Sequence, residues 1–195
     1  MRSITQRPAL PSDRHRMTNK TARGFTLIEL LVIILILGVF GAIGVGAILV
    51  ELRAARVQSA AEELSGWLVA VRRASERGIP CTVSIPNTNP VTGTTNVATA
   101  VADSGTITNN CLSADPLRFS SGNGQATYAV ASTVNQFVFT PRGTICDSDA
   151  NLPCTLATPI AVTINAVEGG AIVGNPRRVC IRPPLGLIEV AAACP

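Results

Sequence analysis

The stretch from Phe25 to Val50 constrains the fold most, because its 26 residues are uncharged except for Glu29. A helix rises about 1.5 Å per residue, so this stretch would extend roughly 39 Å and exceed the ~30 Å hydrocarbon core of a bilayer. It is also longer than the apolar region of an ordinary secretory signal, which has about 7–15 residues. The sequence therefore predicts a membrane-spanning helix over residues 25–50.

Glu29 is the unusual residue in this stretch. An acid inside a spanning helix costs on the order of 3 kcal/mol. Neighbouring Leu and Ile residues, which contribute about −0.3 to −0.6 kcal/mol each, offset that cost and keep insertion feasible. One interpretation is that Glu29 lies near the interface and reaches water. The preferred interpretation is that its carboxylate meets a cation when the protein packs beside others.

The residues around the start of the stretch form a specific pattern: Gly24-Phe25-Thr26-Leu27-Ile28-Glu29-Leu30-Leu31. This pattern resembles the prepilin cleavage motif of type IV pilins and type II secretion pseudopilins. The resemblance implies that a membrane aspartyl protease, the prepilin peptidase, cuts between Gly24 and Phe25 and methylates the new Phe25 amine. It also implies that Glu29 neutralises a Phe25 amine, its own or that of the adjacent subunit, during filament assembly. The implied partners are this peptidase, the inner membrane and other pilins or pseudopilins, which pack through the N-terminal helix.

Positive charge is concentrated before the apolar stretch. Residues 1–24 contain six Lys and Arg residues and one Asp, whereas residues 25–195 contain 10 Arg, 11 acidic residues and no Lys. Positive flanks of a spanning helix stay in the cytoplasm. The sequence therefore predicts a cytoplasmic leader over residues 1–24 and a single-pass inner-membrane protein with its C-terminal domain outside, which later joins a pilus or pseudopilus. Met1 and Met17 both remain candidate starts.

Residues 51–79 are predicted to continue the helix as an amphipathic half. Apolar residues recur there at spacings of four, three, four and three, which indicates one buried helix face; they are Val57, Ala61, Leu64, Leu68 and Val71. Trp67 is expected to anchor the helix to a sheet. Gly78 and Pro80 supply a stop signal.

Residues 80–195 change to short alternating segments between turns, which predicts a β-rich globular head. The predicted strands are Cys81–Ile85, Ala126–Val134, Gln136–Thr140, Ile160–Ile164, Arg178–Arg182 and Leu185–Val190. Residues 86–125 are expected to form a long polar loop with at most one short strand, near Val97–Val101. The predicted fold class is α+β, with a long N-terminal helix packed on an antiparallel β-sandwich head.

Two further segments carry a second resemblance: Arg72-Arg73-Ala74-Ser75-Glu76-Arg77-Gly78 before the first strand, and Val138-Phe139-Thr140-Pro141-Arg142-Gly143 later. Their order is similar to that in the GspH/FimT group of minor pilins and pseudopilins, whose head is a β-sandwich on the long helix. This resemblance implies a minor pilin that inserts in the inner membrane and assembles into, or initiates, a type IV pilus. A type II secretion pseudopilin follows the same sequence logic and remains an alternative.

Six cysteines lie in the predicted exported part: Cys81, Cys111, Cys146, Cys154, Cys180 and Cys194. An even number in an extracytoplasmic domain favours disulfides, and six cysteines allow about 15 connectivities. Zinc is disfavoured because there is no C-x₂-C pair and the one histidine, His15, lies in the leader. We expect sequence neighbours to pair: 81 with 111, 146 with 154, and 180 with 194.

The remaining polar clusters indicate no enzyme, and no cofactor is expected. Without a histidine outside the leader, Ser-His-Asp and Cys-His mechanisms lack their base. Asp147, Asp149 and Asn151 alternate like the first three ligands of a calcium loop. Leu152 and Thr158 occupy the positions where that loop has Gly and Glu, so a solvated acidic turn is preferred to a metal site.

Arg177, Arg178 and Arg182 form the candidate DNA site. Alternation places Arg178 and Arg182 on one strand face. In the FimT branch, arginines in a C-terminal Gly-Arg-x-Arg segment bind DNA for uptake. Here the match is partial, since Cys180 occupies the second arginine position. DNA binding is therefore an alternative that is not favoured over a solvated strand edge, because residues 25–195 lack a basic excess.

Overall fold

The computed structural model describes residues 24–102, 111–112, 116–120, 127–147, 156 and 158–194. The chain divides into two compact units, with the boundary between Ile43 and Gly44. The packing described below belongs to the second unit.

One long helix, α1 (Leu27–Ser75), runs for 49 residues. Arg72 and Arg73 lie in its last turn, where cations favour the helix dipole. The helix ends at Ser75, within the predicted amphipathic half of residues 51–79 and just before Gly78, whose φ of +111° lies outside the helical range. The predicted buried face is confirmed, since all five residues of the four-three-four-three pattern are at most 2% exposed.

Nine strands follow among the described residues: β1 (Cys81–Ser84), β2 (Thr88–Val91), β3 (Thr99–Ala102), β4 (Thr127–Ser132), β5 (Gln136–Phe139), β6 (Ile145–Asp147), β7 (Ile160–Glu168), β8 (Ala171–Arg182) and β9 (Leu187–Ala191). They form a four-stranded sheet in the order β3-β1-β5-β6 and a five-stranded sheet in the order β2-β4-β7-β8-β9. All strand pairs are antiparallel.

Both sheets share one hydrophobic core with the second half of α1. Alternating burial along β7 turns one face of the five-stranded sheet towards this core. Phe137 and Phe139 pack edge-to-face with their ring centres 5.5 Å apart. Trp67 is 8% exposed and lies in the same core, as predicted. The α+β prediction, a helix packed on antiparallel sheets, is therefore confirmed.

The predicted loop over residues 86–125 is wrong in part, because β2 lies within it, whereas β3 confirms the one short strand predicted near Val97–Val101. β2 was obscured by Asn89 and Pro90, which disfavour strands but are tolerated at a sheet edge. β6 has only three residues, too few to show an alternating pattern.

Strand β8 begins seven residues before the predicted start at Arg178. Its first half was not predicted because Gly174 and Pro176 disfavour a strand. β9 pairs only with residues 178–182, so the first half of β8 is an edge, where a proline loses no ladder bond. β7 and β8 pair along most of their length and form a long hairpin with a turn at Gly169 and Gly170.

Candidate functional site

The first turn of α1 brings together the residues of the predicted processing motif. The backbone N–H of Glu29 donates to the side-chain hydroxyl of Thr26 (3.3 Å) and lies 3.1 Å from the Thr26 carbonyl oxygen. Thr26 is thus the N-cap residue, and Glu29 is the third residue of the helix. The spacing is that of the Ser/Thr-x-x-Glu capping box, in which a glutamate side chain at this position reaches back to the N-cap backbone N–H.

The capping geometry gives Glu29 a physical role of its own. A carboxylate in the first turn interacts favourably with the positive end of the helix dipole, an effect of about 0.3–1 kcal/mol at an exposed site. Phe25 directly precedes the N-cap, so any positive charge on its nitrogen would lie at the end of the helix towards which a capping-box carboxylate points. The sequence interpretation missed Thr26, although its spacing to Glu29 was readable.

Gly24 and Phe25 are exposed in the described chain. A Cβ atom added to Gly24 would meet nothing within 4 Å, and the side chain of Phe25 is 75% exposed. The peptide bond between them is accessible, and crowding within the described residues does not explain a glycine there. A requirement for glycine at this position would therefore come from an external partner.

The large apolar side chains from Leu27 to Phe40 are all exposed, with relative accessibilities of 44–84%. Contiguous exposed apolar surface of this extent marks a protein or membrane interaction site. Within the described part of the chain, no helix satisfies the combined length and hydropathy criterion for crossing a membrane.

The three candidate DNA-binding arginines lie on β8, but they do not form one cationic cluster. Arg178 and Arg182 share a strand face, whereas Arg177 faces the other way. Arg182 is paired with Glu189 of β9, which offsets its charge. The face therefore presents Arg178 beside a neutralised ion pair.

Disulfides join Cys81 to Cys111 and Cys180 to Cys194, with Cα–Cα distances of 6.1 and 5.6 Å. These are two of the three expected pairs. Cys146 is also disulfide-bonded, and its expected partner, Cys154, lies outside the described residues. The first bond ties β1 to the segment beside edge strand β3, where the Cys111 N–H donates to the Ala100 carbonyl (3.0 Å).

The weak calcium candidate falls largely outside the described residues. Asp147 ends β6, while Asp149 and Asn151 lie in the undescribed segment 148–155. Among the residues that the structure describes, no group of three or more His, Cys, Asp or Glu side chains is arranged to hold a metal ion. The solvated acidic turn stays a prediction.

Two arginines connect α1 to distant strands, and sequence reasoning missed both connections. Arg53 Nε donates to Glu168 Oε1 at the end of β7 (2.7 Å). Arg72 Nη1 donates to the carbonyl of Gly186, in the turn before β9 (3.2 Å). The partners in each contact are more than 110 residues apart in sequence, so no local sequence pattern predicts the contact.

The two segments of the second resemblance lie side by side where Gly143 approaches Arg72 and Glu76. Gly143 has a φ of +74°, and a Cβ atom there would lie 3.3 Å from Glu76 Oε1 and 3.5 Å from Arg72 Nη2. Arg72 and Glu76 also form an ion pair at 3.4 Å. The arginine-rich helix end and the later glycine therefore belong to one contact region of the head.

Tyr128 has the clearest pKa shift among the described residues. Burial raises its pKa above the ordinary value of 10.0; Arg56 opposes that rise and Glu63 adds to it. The phenol stays protonated at neutral pH and is unsuited to act as a base. Its ring packs edge-to-face with Phe119 at 5.3 Å, which indicates a core role.

Comparison with known proteins gives one family match. The family model described as the prokaryotic N-terminal methylation motif matches residues 19–45. The matched residues include Gly24, Phe25 and Glu29, so the match supports an N-terminal methylation motif at the predicted position. A search of curated proteins finds no match.

A structural comparison finds similarity to the crystal structure of the type IV minor pilin FimU of Pseudomonas aeruginosa strain PAO1. The sequences are 23% identical, and the alignment covers 71% of this chain and 90% of that one, with a TM-score of 0.44. A likeness of this degree assigns neither a fold nor a function.

Proposed function

We propose that this chain is a structural subunit of an extracytoplasmic filament: a minor pilin of the GspH/FimT group that assembles into, or initiates, a type IV pilus. The observation that carries the proposal is the N-terminal methylation motif over residues 19–45, which includes the exposed Gly24, Phe25 and Glu29. This motif supports a role in assembly.

The proposed life of the chain begins in the inner membrane. Residues 1–24 form a cytoplasmic leader, residues 25–50 span the membrane, and the amphipathic residues 51–79 lead to the disulfide-containing head of residues 80–195 outside. Prepilin peptidase cuts between Gly24 and Phe25 and methylates the Phe25 amine. The exposed apolar side chains between Leu27 and Phe40 then pack against the helices of other pilins in the filament.

Glu29 is proposed to bind the positive amine of Phe25 during assembly. Cleavage would create that amine one residue before the N-cap, at the end of the helix to which a capping-box carboxylate turns. Within one subunit, the pair would lower the cost of a carboxylate in lipid, which is on the order of 3 kcal/mol. Between subunits, the same attraction would set the axial position of one helix against the next.

The mature N-terminus tests this proposal. The protein is purified from its native membranes, and its N-terminal peptide is identified by mass spectrometry or Edman degradation. A first residue of N-methylated Phe25 is expected. A protein that begins at Met1 or Met17, or is cut well beyond Glu29, would overturn the proposal and favour a plain membrane-anchored domain.

A type II secretion pseudopilin would use the same N-terminal machinery, and the neighbouring genes distinguish the two systems. DNA uptake is the less favoured alternative, since Arg182 is already paired with Glu189.

A further inference from the structure

The hairpin of β7 and β8 ends in an apolar tip that is not buried in the head. Its last register pair is Glu168 with Ala171, and the next pair is Val167 with Ile172. Ile172 is 58% exposed, and Cβ atoms built on Gly169 and Gly170 meet nothing within 4 Å. The tip is therefore an exposed apolar point on a narrow, glycine-containing turn.

The Arg53–Glu168 ion pair holds this tip beside a particular level of α1. Arg53 lies three residues beyond Val50, the last residue of the apolar stretch. At about 1.5 Å per residue, the ion pair lies roughly 4.5 Å along the helix axis from the end of that stretch. Ile48, Leu49, Val50 and Leu52 are exposed on the helix at this level.

A groove of about 250 Å³ connects the helix to the hairpin. Val50 and Val57 line it from α1, and Val173 and Gly174 line it from β8. Val50, one of the exposed apolar residues at this level of α1, therefore lines the same groove as Val173 near the hairpin tip. The two formal charges nearest the tip, on Arg53 and Glu168, neutralise each other.

We propose that the β7–β8 tip rests on the extracytoplasmic surface of the phospholipid bilayer, with Ile172 inserted among the headgroups. This inference rests on the proposed membrane insertion of residues 25–50. The headgroup layer is about 5–8 Å thick on each side, as the difference between the whole bilayer and its hydrocarbon core gives. The stretch of residues 25–50 is longer than the hydrocarbon core and is accommodated by tilting, which puts Val50 at the boundary of the core. An offset of roughly 4.5 Å along the helix then places the tip inside that layer.

A lipid surface fits this patch better than a protein groove does. The patch presents one apolar side chain on a narrow turn, level with the end of the apolar stretch, and the charge of Glu168 at the tip is paired with Arg53. On the helix, exposed Glu51 and Arg56 flank the level of the ion pair and carry opposite formal charges, so neither sign dominates there. The contact would orient the head before the subunit leaves the membrane.

The turn between β8 and β9 supplies a matched control. Leu187 is 55% exposed, close to the value for Ile172. It lies next to Gly186, which Arg72 binds. Arg72 is 19 residues beyond Arg53, so this turn lies about 28 Å farther along the helix axis. Ile172 and Leu187 therefore differ in their position along the helix axis but have nearly the same exposure.

Fluorescence quenching in vesicles tests the inference. Full-length variants Ile172→Trp, Leu187→Trp and Phe40→Trp are reconstituted into phosphatidylethanolamine–phosphatidylglycerol vesicles whose acyl chains carry no bromine, bromine near the headgroups, or bromine near the chain ends. The buried Trp67 is kept in all of them as a constant signal. We expect bromine near the headgroups to reduce the emission added by Ile172→Trp about twofold, because an interfacial side chain reaches the depth of the headgroup layer. The emission added by Leu187→Trp is expected to be unchanged.

The Phe40→Trp variant separates the two proposals. If its emission is quenched while that of Ile172→Trp is not, the hairpin inference fails and membrane insertion stands. If bromine at neither depth quenches the emission of Phe40→Trp, insertion itself fails and the inference fails with it. Equal quenching of Ile172→Trp and Leu187→Trp would mean that the head adsorbs without orientation, which also overturns the inference.

Discussion

Replacing Gly186 with alanine should destabilise the head more than the same change at Gly169. The two glycines have nearly equal φ angles, +61° and +58°, in the left-handed region. Each replacement therefore carries a similar backbone cost of about 1–2 kcal/mol. They differ in their surroundings, since a Cβ on Gly169 meets nothing within 4 Å.

At Gly186 the added Cβ would lie 3.2 Å from Ile145 Cγ1 and from Phe139 Cε1, and 3.3 Å from the Gly143 carbonyl oxygen. Hydrogen bonds hold both sides of this contact: Arg72 donates to the Gly186 carbonyl, and the Ile145 N–H donates to the Pro184 carbonyl. Overpacking of a constrained site costs about 1–3 kcal/mol. The free energy of unfolding should therefore fall by about 2–5 kcal/mol for Gly186→Ala, against about 1–2 kcal/mol for Gly169→Ala.

Urea unfolding of the detergent-solubilised protein, with its disulfides intact, measures both losses. The fluorescence of Trp67 reports on the core, because it is the one tryptophan of the chain and is buried there. The difference between the two variants isolates the packing contribution, since their backbone costs cancel. Equal losses would refute the reasoning, because the close contacts at Gly186 would then carry no free energy.

Three further experiments have defined outcomes. Gly24→Leu should leave an unprocessed precursor in the membrane with its thermal unfolding unchanged, since the added side chain has open space; normal cleavage on an immunoblot would count against the processing proposal. Replacing both Cys180 and Cys194 with serine should lower the free energy of unfolding in urea by about 3 kcal/mol, as for a 15-residue loop; an unchanged midpoint would mean that the bond does not stabilise the head. The processed protein, which begins at Phe25, should not retard duplex DNA in gels at low salt, because residues 25–195 have no basic excess and Arg182 is paired with Glu189; retardation that Arg178→Ala abolishes would restore the DNA-binding alternative.

The long helix and its buried face were predictable because helical periodicity is a local property. The four-three-four-three spacing from Val57 to Val71 identified the core-facing residues of α1 before any partner was known. Strands β1, β4, β5 and β9 lie within two residues of their predicted positions, because each has a short alternating or β-branched pattern between turn residues.

The remaining elements depend on tertiary context. The first half of β8 carries Gly174 and Pro176, which oppose a strand locally and are tolerated because β9 does not pair with that half. The contacts of Arg53 and Arg72 join residues that are remote in sequence. Thr26 is the exception, because the capping-box spacing to Glu29 is itself a sequence signal.

The central claim is that Glu29 acts in assembly through its charge and not only as a helix cap. Two variants separate these roles: Glu29→Gln keeps a residue compatible with the capping box but removes the charge, whereas Thr26→Ala removes the cap, which costs about 1 kcal/mol, and keeps the charge.

The measurement is the amount of each variant in pili sheared from cells of the native host, relative to the processed protein in the membrane. The account predicts that Glu29→Gln is processed but absent from the pili, while Thr26→Ala is incorporated. Incorporation of Glu29→Gln at the wild-type level would contradict the account.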